Sequence, residues 1–82
     1  MTTAVAILTA LDRIHPHLLP ESSLLMDVNV QLSRPIGFTD LRDNLRLLEK
    51  RQFVVSIEPD ALLSSGELKW RITDTGRANI PK

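Results

Sequence analysis

The stretch that decides the fold runs from Phe38 to Ala78 and reads FTDLRDNLRLLEKRQFVVSIEPDALLSSGELKWRITDTGRA. Leu41, Leu45 and Leu48 recur at i, i+4 and i+7, the spacing that puts side chains on one face of a helix. Phe38 falls on the same side. A helix is therefore expected over 39–51. Thr39 is the expected N-cap, its hydroxyl accepting an orphan N–H of the first turn. Asp40 then sits at the positive end of the helix dipole, and Lys50 and Arg51 sit near the negative end. The opposite face carries Thr39, Asp43, Arg46 and Lys50, with Arg42 on its flank. Arg42, Arg46 and Lys50 form an i, i+4, i+8 row of like charge, partly offset by Asp43 and Glu49. Such a row is either a solvated face of mixed charge or a row that meets phosphates.

Beyond this helix the period changes. Phe53, Val54, Val55 and Ile57 favour strand, and Pro59 stops the run. Leu68, Trp70 and Ile72 alternate with Lys69, Arg71 and Thr73, which predicts a strand with one apolar and one polar face. The strands are expected near 53–58 and 67–73. The intervening Glu58 to Glu67 contains Pro59, Ser64, Ser65 and Gly66, so an antiparallel pair joined by a long loop is the simplest connection. Trp70 is expected to be buried against Leu41, Leu45 or Leu48. After the second strand, Thr73 or Asp74 caps a short terminal turn.

Helix, strand, long loop, strand and capped turn resemble the second half of a winged helix-turn-helix domain. The matching residues are Leu45-x-x-Leu48-Glu49-Lys50, then Phe53-Val54, and later Trp70-Arg71-Ile72-Thr73-Asp74-x-Gly76-Arg77. Small bacterial winged-helix transcriptional regulators end their leucine-rich recognition helix, and the second strand of their wing, in a similar way. The resemblance implies an α+β fold of three helices followed by a two-stranded wing. One departure is visible: Gln52 stands where those proteins usually carry glycine. A residue with positive φ there would be mildly strained.

The upstream half supplies the packing partners for that unit. Thr2 or Thr3 caps a first helix near 3–15, with Ala4, Ile7, Leu8, Leu11 and Ile14 on one face. Pro16 ends it, because the residue before proline avoids the helical region. Pro20 and Glu21 suit the first turn of a second helix, near 21–32. Its buried face is Leu24, Leu25, Val28 and Leu32. Ser33-Arg34-Pro35-Ile36-Gly37 then forms the turn of a helix-turn-helix.

An 82-residue chain reads as one domain, 1–82. It has no cysteine, so disulfides and cysteine-based metal or redox sites are excluded. No run approaches the ~20 apolar residues of a membrane span. The N-terminus lacks a basic leader region. A soluble cytoplasmic protein without membrane contact is expected. His15 and His17 flank Pro16 without further ligands, so no metal or other cofactor is expected. No nucleophile motif or glycine-rich phosphate loop is present. Asp40 and Asp43 are explained by the dipole and by an ion pair between Asp43 and Arg46, so an enzyme is not expected.

Charge divides unevenly. Residues 1–33 carry one basic and three acidic residues, and residues 34–82 carry nine basic and seven acidic. The small basic excess lies in the half that would face DNA. Two functions follow from the resemblance and the residues. The first is a DNA-binding transcriptional regulator whose third helix enters the major groove of double-stranded DNA. Arg42 and Arg46 would meet bases or phosphates, Thr39, Asn44 and Lys50 would add polar and charged contacts, and Lys69 and Arg71 would touch the backbone. Asp40 and Asp43 oppose it by repelling phosphate. The second is a winged helix used for protein contact, with Leu47, Leu62 and Leu63 forming an apolar surface for a homodimer. The alternative for Ala61-Leu62-Leu63 is a turn folded back onto the core.

Overall fold

The computed structural model describes residues 2–57 and 68–81. Its elements run in the order α1 (Thr3–Arg13), β1 (Leu19–Pro20), α2 (Glu21–Gln31), α3 (Phe38–Lys50), β2 (Val54–Ile57), β3 (Lys69–Ile72) and α4 (Asp74–Ala78). The three helices and the pairing of the two expected strands are present. The register joins Val54 to Ile72, Val55 to Arg71, Ser56 to Trp70 and Ile57 to Lys69, all antiparallel.

A third strand is the main departure from expectation. Leu19 pairs with Trp70 and Pro20 with Lys69, so β3 lies in the middle of a sheet ordered β1-β3-β2. Pro20 is therefore not the first turn of a helix. It is extended (φ −63°, ψ 151°) and stands just before α2. Proline suits an edge strand because it has no ladder N–H to lose. The Glu21 N–H takes over by donating to the Leu68 carbonyl at 3.1 Å.

Local chemistry sets the other boundaries. Thr2 caps α1 by accepting from the Val5 N–H at 3.1 Å. Asn29 holds the turn after α2 with both ends of its amide: Oδ1 accepts from the Ile36 N–H at 2.9 Å, and Nδ2 donates to the Ile36 carbonyl at 3.1 Å. Thr39 does not cap α3. The cap position is Gly37, with no side-chain cap bond, and the helix begins one residue early at Phe38. Glycine is tolerated there because an N-cap needs extended backbone more than it needs a side chain. At the other end the Phe53 N–H donates to the Leu48 carbonyl and the Gln52 N–H to the Glu49 carbonyl, both at 2.9 Å. This is the Schellman closure, which requires a left-handed residue after the cap. Gln52 fills that place with φ 65°. Thr73 caps α4 by accepting from the Gly76 N–H at 3.0 Å, as expected.

The core lies between the helices and one face of the sheet. Ile7, Leu8 and Leu11 of α1, Leu24 and Val28 of α2, Leu41, Leu45 and Leu48 of α3, and Val54, Trp70 and Ile72 of the sheet are buried in one cluster. Leu25 and Leu32 are partly buried against it. Phe38 is a correction: it is 42% exposed rather than part of the buried stripe.

Candidate nucleic-acid interface

The packing of Leu41, Leu45 and Leu48 into the core turns Thr39, Asp43, Arg46 and Lys50 outward, and all four are exposed. Arg42 sits on the flank of this row. The expected ion pair between Asp43 and Arg46 does not form. Arg46 Nη1 instead donates to Glu49 Oε1 at 3.2 Å, while Ser56 Oγ of β2 donates to Glu49 Oε2 at 2.8 Å. Glu49 wins because it lies on the flank facing β2, where the serine hydroxyl holds its carboxylate within reach of Arg46.

Arg42 is also paired. Its Nε donates to Glu21 Oε2 at 3.0 Å, and its guanidinium carbon lies 5.6 Å from the centre of the Phe38 ring, within cation–π range. Both arginines of the row therefore carry a carboxylate, which weakens the field they present. Lys50, Arg51, Arg34, Lys69 and Arg71 have no ion-pair partner among the described residues.

The remaining residues separate. Asn44 turns to the other flank of α3, where Nδ2 donates to the Asp40 carbonyl at 2.9 Å. There it lines a cleft of about 130 Å³ with Ala4, Leu47, Leu48 and Arg51. Lys69 and Arg71 occupy the exposed face of β3, opposite Trp70 and Ile72. Arg71 lines a different open cleft, of about 340 Å³, with His15, Ile72, Thr73 and Asp74. Leu47 is 61% exposed, off the buried stripe as expected. Leu62 and Leu63 lie outside the described residues. Among the described residues, no cluster of His, Asp or Glu is placed to hold a metal, and no helix is long and apolar enough to cross a membrane.

Three features escaped the sequence reading. Glu21 is buried and holds Arg42. Glu49 joins α3 to β2. Arg51 is a cation without an acidic partner among the described residues. An acid in the first turn of a helix is too common for Glu21 to stand out, because its partners are remote in sequence.

Neither a protein-family model nor a curated protein matches the chain at the level of sequence. Solved structures do match. A transcriptional regulator from Clostridium thermocellum superposes with a TM-score of 0.74 at 18% identity, covering 93% of this chain and 70% of that one. A structure from Thermoplasma acidophilum gives 0.75 at 18% identity, covering 95% and 70%. Bacillus subtilis PadR, solved in complex with operator DNA, gives 0.74 at 14% identity. The fold is a winged helix-turn-helix. In the winged helix α2 and α3 form the helix-turn-helix pair, and β2 and β3 form the strands of the wing. The chain covers 43% of the length of PadR, so the match concerns this part of that protein alone.

Proposed function

We propose that this winged helix, acting as one domain over residues 1–82, binds double-stranded DNA as part of a transcriptional regulator in the cytoplasm. The observation that carries this reading is the superposition on PadR, whose structure was solved with operator DNA. The exposed row Thr39, Arg46 and Lys50, with the exposed Arg42 on its flank, supports it, since α3 is the element such a fold inserts into the major groove. Lys50 is the strongest phosphate contact in this reading because it lacks an acidic partner among the described residues. Arg46 contributes after exchanging Glu49 for a phosphate. Lys69 and Arg71 would reach backbone phosphates from the wing. Asn44 contributes least, because its side chain is tied to the Asp40 carbonyl on the flank towards α1.

The test is a fluorescence titration of mixed-sequence duplexes at low salt. Binding is expected to weaken steeply as salt rises, because neutralised phosphates release counterions. Lys50→Ala should lower the salt slope by about one unit. Asp43→Asn should strengthen non-specific binding by removing an outward negative charge. Absence of binding at concentrations on the order of tens of micromolar, far above specific affinities, would overturn the reading if the protein is folded.

A second reading starts from Leu47, which is 61% exposed on α3 and borders the cleft that Ala4 and Leu48 also line. Leu47, with Leu62 and Leu63, would form the contact of a symmetric homodimer. Sedimentation should then show a dimer at micromolar concentration, shifted towards monomer by Leu47→Asp. A strictly monomeric wild type at high concentration would remove this reading.

A further inference from the structure

Among the described residues, Glu21 is the charged residue that the fold buries, at 2% exposure. It stands at the start of α2, yet its carboxylate joins two other elements. Oε1 accepts from the Trp70 indole Nε1 at 3.1 Å, and Oε2 accepts from Arg42 Nε at 3.0 Å. The start of α2, the central strand of the sheet and α3 therefore meet at one carboxylate. A buried charge persists only when it is paired and hydrogen-bonded, and this one has a donor on each oxygen.

The effect on Arg42 is specific. A guanidinium is a planar fork, and fixing its Nε sets the direction of its two terminal nitrogens. Here Glu21 holds the Nε edge while the Phe38 ring lies 5.6 Å from the guanidinium carbon. The side chain is nevertheless 63% exposed, so the rest of the fork stays open to solvent. Glu21 is itself too buried to be approached from outside.

We propose that Glu21 is a positioning residue: it holds Arg42 at Nε so that the terminal nitrogens meet a DNA phosphate in the same complex. The inference rests on the DNA-binding reading and adds the residue that orients one of its contacts. Through Trp70 the same carboxylate ties the wing strand to α3, so the two DNA-facing elements keep a fixed relation. Glu21 acts with phosphate rather than against it, because it uses the one nitrogen that a terminal fork does not need.

The sign of the effect separates positioning from plain charge. Glu21→Gln removes a negative charge beside the interface, so bulk electrostatics alone would tighten binding. Positioning demands the opposite. In anisotropy titrations of the full chain against a mixed-sequence duplex, Glu21→Gln is expected to weaken binding about tenfold. It should lower the salt slope by about one unit, as Arg42→Ala does, with the double variant no weaker than Arg42→Ala alone. Unchanged or tighter binding by a folded Glu21→Gln protein would overturn the inference. If the variant does not fold, nitrogen-15 spectra of the wild-type arginine side chains decide. On adding duplex, the terminal Arg42 signals should shift while its Nε–H signal stays in place. A shift of that Nε–H signal to the position of a free arginine would also overturn the inference. A wild type that binds no duplex would instead defeat the DNA reading, and this inference with it.

Discussion

Replacing Trp70 with alanine is expected to lower the unfolding free energy by about 3–5 kcal/mol. Trp70 is 1% exposed in the central strand, paired with Leu19 on one side and Ser56 on the other. Truncation leaves a cavity where three elements meet. It also takes the indole donor from Glu21, and a buried polar atom left without its partner costs roughly 1–3 kcal/mol. Part of the latter is recovered if water enters the cavity, so the two losses do not simply add. A domain of this size has a stability near the low end of about 5–15 kcal/mol, so the variant should be mostly unfolded at modest urea concentrations. Urea unfolding followed by circular dichroism measures this directly, because the substitution removes the chain's single tryptophan. Trp70→Phe, which keeps a ring but no donor, should lose clearly less. A loss below ~1 kcal/mol for the alanine variant would be incompatible with a core position.

Gly76→Ala is expected to destabilise the protein by about 2–3 kcal/mol, against the usual trend for helices. Alanine in place of a helical glycine normally stabilises by roughly 0.5–1 kcal/mol. Here a Cβ at position 76 would collide with the Phe53 carbonyl oxygen and lie 2.9 Å from Ile72 Cγ1. The carbonyl cannot simply move aside, because it accepts the Thr73 N–H at 3.0 Å. Thr73 Oγ1 also donates to the Gln52 carbonyl at 2.7 Å, so the whole junction between β2 and α4 would have to shift. Thermal melting of the variant beside the wild type tests this. An unchanged or higher midpoint would show that α4 is free to pack elsewhere.

Much of this protein was determined by the sequence alone, and those parts share one property. The leucine stripe of α3, the alternation of Leu68, Trp70 and Ile72, and the Thr73 cap are all patterns within a few residues, where helix and strand periods act. Gln52 was visible only through the resemblance, as the residue standing where those proteins carry glycine, and the Schellman bonds at the end of α3 hold it left-handed. Element order then selects the winged helix. The tertiary structure alone decided the rest. A two-residue strand has no period to read, so β1 appears only once β3 is there to pair with it. Glu21 meets Trp70 across 49 positions and Arg42 across 21. Arg46 chose Glu49 over Asp43 because Ser56, on another element, holds that carboxylate. Asn44 looks like a companion of the arginine row in one dimension, yet packing turns it to another cleft. A charge in the sequence has a sign but no partner; the partner is assigned when distant elements pack, and with it whether an arginine faces a ligand freely or from a fixed position.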